Sequence, residues 1–170
     1  MTRLLFMPPL LLWPAFLLAA TIRVGPGEAV ERVADAARIA QDGDVVVIAA
    51  GEYRGDVAAW SQKRLTIRGE GERPVLLADG PSAEGKAIWV IRDDDFLIEN
   101  IEFRGTRVRS GNGAGVRFER GRLEIRNCRF IDNQNGLLTA NVEHAELVIR
   151  NSVFAAAPRA SESLPHLLYV

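Results

Sequence analysis

The residues in this chain best placed to contact a ligand are Arg117 and Glu119, in the segment Gly115-Val116-Arg117-Phe118-Glu119. Apolar and charged residues alternate there, the pattern of a half-buried strand. Val116 and Phe118 then point inward, and Arg117 and Glu119 share the outer face. Trp89, in the preceding segment Ala87 to Ile91, is expected one strand below Arg117. An aromatic plane beside an Arg, with Arg107, Arg109 and Asn112 in a nearby loop, could seat a sugar ring and its carboxylate. The alternative is an ordinary exposed strand face, because nothing there has catalytic spacing. A strand rises about 3.3 Å per residue, so Arg117 and Glu119 are close enough to pair. Paired, Glu119 is held ionised with a lowered pKa and is a weak base. No catalytic residue is assigned.

Other reactive residue types are sparse. Asp93-Asp94-Asp95 offers oxygen ligands for a hard cation, but adjacent side chains on an extended segment point apart, and no metal or cofactor is expected. The two histidines, His144 and His166, lack a partner Ser, Cys or carboxylate at recognisable spacing. The single cysteine, Cys128, reads as a small buried apolar residue with no disulfide partner. No phosphate loop, nucleophile elbow or zinc pattern is present. The formal net charge of −1 and the lack of a strong basic patch speak against a nucleic-acid partner.

These residues hang on a repeat. Phe96-Leu97-Ile98-Glu99-Asn100-Ile101-Glu102-Phe103 returns as Leu123-Glu124-Ile125-Arg126-Asn127-Cys128-Arg129-Phe130. It returns again as Leu147-Val148-Ile149-Arg150-Asn151-Ser152-Val153-Phe154. The asparagines are 27 and 24 residues apart, a period that points to a solenoid. Each unit reads as a strand, a bend at Asn and a second strand. Stacked about 4.8 Å apart, the units would align Phe96, Leu123 and Leu147 in one interior column. Ile98, Ile125 and Ile149 would form a second, and Phe103, Phe130 and Phe154 a third. Val46 to Tyr53 and Leu65 to Gly69 carry weaker copies, so the bends fall at Ala50, Gly69, Asn100, Asn127 and Asn151. Asn tolerates the left-handed backbone of a sharp bend, and stacked amides can hydrogen-bond along the axis, buried between coils. Outside the bend, Arg68, Glu99, Arg126 and Arg150 fall in one column. It reads as a groove for an acidic polymer or, preferably, as a solvated face of weak ion pairs.

With these repeats the chain resembles the right-handed parallel β-helix proteins of the pectin-lyase-like superfamily, from about Ile22 to Val170. The resemblance implies an all-β, right-handed parallel β-helix solenoid of about five coils with an N-terminal capping α-helix. It implies an exported protein that binds polysaccharide, most readily an acidic one. The alternative is a polysaccharide lyase, hydrolase or epimerase acting on an acidic glycan. Trp89, Arg117, Glu119, Arg107 and Arg109 are the expected substrate contacts. Relatives carry His-Asn-Leu-Tyr at a strand resembling His166-Leu167-Leu168-Tyr169, where Leu167 replaces the Asn.

The ends complete the expected organisation. Residues 1–20 read as a signal peptide: Arg3, an apolar run from Leu4 to Leu18, and a small-residue site at Ala19-Ala20. Pro8, Pro9 and Pro14 and the short span argue against a membrane helix. Residues 21–170 form the β-helix domain, secreted or periplasmic and with no membrane contact after cleavage. Glu28 to Gln41 is expected to be the capping helix, with Val30, Val33, Ala34 and Ala37 on one face. Surface loops are expected at Asp79 to Lys86 and Gly105 to Ala114. The last strand meets Val170 without a cap, so a longer β-helix, or end-to-end self-association, is expected to complete it.

Overall fold

The computed structural model describes residues 19–93, 95–156 and 166–169. Most of the expected leader and Val170 therefore lie outside the described residues. Strand β1 (Thr21–Val24) leads to helix α1 (Val33–Ile39). The first coil is β2 (Val45–Ile48), β3 (Glu52–Arg54) and β4 (Ala58–Trp60), and the second is β5 (Arg64–Gly69), β6 (Val75–Leu77) and β7 (Ala87–Ile91). The third is β8 (Asp95–Glu99), β9 (Glu102–Arg104) and β10 (Ala114–Phe118). The fourth is β11 (Arg122–Arg126), β12 (Arg129–Asn133) and β13 (Asn135–Thr139), and the fifth β14 (Glu146–Arg150), β15 (Val153–Ala156) and β16 (His166–Tyr169). Every third strand pairs in parallel, so the chain is a parallel β-solenoid with three faces. The first face has the order β1-β2-β5-β8-β11-β14, the second β3-β6-β9-β12-β15, and the third β4-β7-β10-β13-β16.

The interior columns form as the repeat requires. Leu65, Phe96, Leu123 and Leu147 stack in register, as do Ile67, Ile98, Ile125 and Ile149. The third column continues into an aromatic spine. Phe103 and Phe130 stack with ring centres 5.1 Å apart, and Phe130 and Phe154 at 4.6 Å. Trp89 meets Phe103 edge-on at 5.0 Å, and Trp60 meets Trp89 at 5.3 Å. One row of rings thus runs from the first coil to the fifth. Burying a side chain of this size contributes about 1.5–3 kcal/mol, and each aromatic pair adds about 0.5–1.5 kcal/mol.

The cap is shorter than expected. Val30 bridges to Val24 and its carbonyl accepts the Gly25 N–H at 3.0 Å, which commits the residues before Arg32 to a tight loop. Asp56, buried in the first coil, then accepts the N–H groups of Val33 (2.6 Å) and Ala34 (2.9 Å). That carboxylate satisfies the helix N-terminus and fixes where it starts. At the other end Gln62 donates to the carbonyls of Ala37 and Ala40, both at 3.0 Å. Val33, Ala36 and Ala37 are the buried face.

The three Asn bends hold their predicted positions but not their predicted environment, whereas the bend expected at Gly69 falls after it: Gly69 is the last residue of β5, and the left-handed glycine is Gly71, at φ 67°. Asn100, Asn127 and Asn151 all have left-handed backbones, with φ of 55°, 50° and 49°. Asn127 donates its amide to Asn100 Oδ1 at 3.3 Å, and Asn100 donates to the carbonyls of Gly69 (3.2 Å) and Gly71 (3.3 Å). The rungs lie at the surface rather than buried: Asn127 is exposed, and Arg73 reaches over it to donate to Oδ1 at 2.9 Å. Gly69 is glycine for want of room, since a Cβ there would sit 2.3 Å from the Asn100 carbonyl oxygen. The backbone conformation is therefore the main demand on Asn127. Asn127→Ala should cost about 2 kcal/mol, from left-handed strain and lost hydrogen bonds. Asn127→Gly, which removes only the amide, should cost about 1 kcal/mol in urea denaturation. Equal losses would show that the amide alone matters.

Candidate functional site

Arg117 and Glu119 do share an outer surface, on the third face. In β10, Arg117 aligns with Val90 below and Leu138 above, and Val90 aligns with Ala59. Trp89 instead aligns with Val116 and is completely buried in the aromatic spine. The expectation that Trp89 flanks Arg117 is corrected by one residue of register, and one residue turns a strand side chain to the other face. The surface around Arg117 consequently has no Trp platform. Beneath the 79–86 connection lies a small buried apolar cluster of Ala83, Ala87, Val90, Ala114 and Leu138.

Ala83 brings the 79–86 connection to this surface. Its N–H donates to the Ala87 carbonyl at 2.7 Å, and its carbonyl accepts the Ala87 N–H at 3.3 Å. The fold-back delivers Lys86, whose Nζ lies 2.8 Å from Glu119 Oε1. Arg117 Nη2 donates to Glu119 Oε2 at 3.4 Å, while Arg117 Nε, also 3.4 Å from the carboxylate, is not aligned for a hydrogen bond. Partial burial raises the Glu119 pKa, but hydrogen bonds from Lys86 and Arg117 outweigh it and hold the carboxyl below its usual range. Arg92 pairs with Glu84. Arg120 donates through Nε to the Arg92 carbonyl at 3.0 Å and to Asp93 Oδ1 at 3.1 Å. Lys86, Arg92, Glu119 and Arg120 line one groove with Ala140 and Val142. Such a groove can hold an anion by charge-assisted hydrogen bonds.

Arg107 and Arg109 are not brought into that groove. They line a separate depression with Gly80, Ser82, Gly85, Val108 and Ser110. Arg107 is engaged by Asp132, with Nη2 2.5 Å from Oδ1, and donates to the Thr106 carbonyl at 3.0 Å. Asn112 stays within its loop, 2.6 Å from Ser110 Oγ. Two residues absent from the expectation order this loop. Gln134 Oε1 accepts the N–H groups of Val108 and Gly113, both at 2.8 Å. Asn133, buried at the corner between β12 and β13, accepts the Thr106 N–H at 3.0 Å and donates to the Phe103 carbonyl at 2.9 Å. A polar pair breaking two strands of the repeat is the only sequence signal for either.

The other candidates are occupied structurally. Asp93 pairs with Arg120 at 3.0 Å and Asp95 with Arg122 at 3.3 Å, while Asp94 lies outside the described residues. Among the described residues no group of three or more His, Cys, Asp or Glu side chains could hold a metal ion. His144 is exposed with φ 66°. The side chain of His166 lies outside the described residues. Cys128 is buried, and burial pushes its thiol up to about 11.

On the first face, Arg68, Glu99, Arg126 and Arg150 do form one outward column. Two of its cations, Arg126 and Arg150, are drawn to Glu124, which is 5% exposed. Glu124 accepts from Arg126 Nε at 2.7 Å, Arg150 Nε at 3.1 Å and Arg122 Nη2 at 3.2 Å. Hydrogen bonding from Arg126 first, and from Arg150 and Arg122 against the opposing effect of burial, lowers its pKa to about 2. Because Arg150 reaches Glu124 from the next coil, the shared carboxylate ties adjacent coils together on this face. Unfolded, a Glu titrates at roughly 4.3, so the stabilisation is complete above that pH and is lost as pH falls toward 2. Glu124→Gln should therefore flatten the stability profile in that window, read by thermal melts across acid pH. A profile unchanged in slope would remove Glu124 from the acid response.

No family model matches this chain, and neither a curated protein nor a solved structure matches it.

Proposed function

We propose that this chain is an exported, carbohydrate-associated protein of the right-handed, pectin-lyase-like β-helix kind, and that it binds an acidic polysaccharide on its third face without turning it over. The repeat and its Asn bends support the kinship. The observation that carries the binding reading is a groove lined by Lys86, Arg92, Arg120 and Glu119, with Arg117 beside it paired to the same Glu119 carboxylate as Lys86. A uronate carboxylate entering there would meet Lys86 and Arg117, which now share the Glu119 carboxylate. The interaction is ionic rather than stacking, because Trp89 belongs to the interior.

The same contacts speak against catalysis as the chain stands. A base that removes a proton works best when its pKa lies near the operating pH. Glu119 is held below the usual carboxylate range by the two cations that would also have to neutralise the substrate. Binding is expected with polygalacturonate and not with neutral dextran in affinity electrophoresis. Arg117→Ala should weaken binding about tenfold, which corresponds to about 1.4 kcal/mol, and added salt should weaken it further. Arg38→Ala, on the cap helix, should leave it unchanged. Equal retardation by the neutral polymer would overturn this reading, and unsaturated product would overturn its noncatalytic part.

A further inference from the structure

The last coil differs from the other four in what it exposes. Five large apolar side chains are exposed among the described residues, and Val142, Val153, Leu167 and Leu168 of these belong to this end of the solenoid. Leu147, Ile149 and Phe154, continuing the interior columns, are only partly buried, whereas their counterparts Leu123, Ile125 and Phe130 are buried. At the opposite end β1 pairs with β2, and Val33, Ala36 and Ala37 of α1 lie in the main core. A second copy docked at that end would meet α1 rather than the interior columns.

The edge strand β14, Glu146-Leu147-Val148-Ile149-Arg150, is built to pair with itself. The Glu146 N–H donates to the Gly121 carbonyl at 2.8 Å, and the Arg150 carbonyl accepts the Asn127 N–H at 3.0 Å. In a parallel strand alternate residues turn their backbone groups to the same neighbour. Glu146, Val148 and Arg150 therefore face β11, which leaves the N–H and C=O groups of Leu147 and Ile149 directed along the other edge, where no described strand pairs with β14. In an antiparallel pair about a two-fold axis at Val148, Leu147 of one copy exchanges both hydrogen bonds with Ile149 of the other. The same register sets Glu146 opposite Arg150 twice, on the outer face. Opposite charges directly across strands stabilise such a pair.

We propose that this face docks a second copy of the chain, tail to tail, through an isologous interface centred on Val148. A two-fold interface uses one patch on both partners, and this patch is self-complementary in hydrogen bonds, charge and apolar surface. The same axis brings β15 of one copy toward β16 of the other, so the exposed Val153, Leu167 and Leu168 are drawn into the contact. The solenoid interior then runs through two capped halves.

Light scattering on the purified full chain should give twice the chain mass. Val148→Lys sets two ammonium groups together at the axis and should return the monomer mass. Its fold is retained because the new amine stands in register above Glu124, which circular dichroism would verify. Val148→Cys gives a geometric readout. Residues opposed at a non-hydrogen-bonded antiparallel position have Cα atoms about 4.5 Å apart, within disulfide reach. Oxidised glutathione should therefore link two copies, each disulfide formed reducing one glutathione disulfide to two thiols. Thr66→Cys, in the same outward column three coils away, should not link, and the buried Cys128 does not compete. A monomer of the unsubstituted chain, a dimer insensitive to Val148→Lys, or a dimer that Val148→Cys fails to link would each overturn the proposal.

Discussion

Everything in this molecule depends on one constraint: each coil must present the same side chains, in the same register, as the coil beneath it. The stack of Phe103, Phe130 and Phe154 is the clearest result. Each of these rings packs against the equivalent ring of its neighbour, so a single slip of register would forfeit several contacts at once and turn side chains outward. Glycines mark how tightly the layers fit. A Cβ on Gly115 would lie 2.8 Å from a Phe130 ring carbon, and one on Gly136 would lie 2.6 Å from the Phe154 ring.

Polar groups are arranged to protect that register at the corners. The left-handed asparagines turn the chain between the first and second faces, and Asn133 secures the corner between the second and third. Asp56 and Gln62 satisfy the two ends of the cap helix from the first coil itself. Buried backbone groups left without partners would cost about 1–3 kcal/mol each, which is why these few side chains matter more than their number suggests.

Charge is divided between faces according to how it is neutralised. On the first face Glu124 gathers three guanidinium groups and ties adjacent coils together. On the third face the 79–86 connection and β10 bring Lys86 and Arg117 onto one carboxylate at a groove open to solvent. The first carboxylate is buried between coils and the second is partly exposed at the rim of a groove.

The parallel solenoid, its interior columns and its three Asn bends were legible in the sequence. In this architecture residues touch their own counterparts one repeat away, so periodicity in the chain is contact in space. Phe103, Phe130 and Phe154 and the three asparagines carried that information directly. On the third face the strands could be read but their register could not, because they follow connections of unequal length and carry no shared motif. Ile88 and Trp89 both turn into the core, which breaks the alternation on which the expected place of Trp89 rested. Nor could periodicity reveal Asp56, Asn133 or Gln134, each a single polar residue whose role depends on which backbone groups the finished coil leaves unsatisfied. The start of α1 was decided the same way, by a carboxylate 22 or 23 positions along the chain. Repeated apolar residues determined how the coils stack; unrepeated polar ones acquired their partners only once the stack existed.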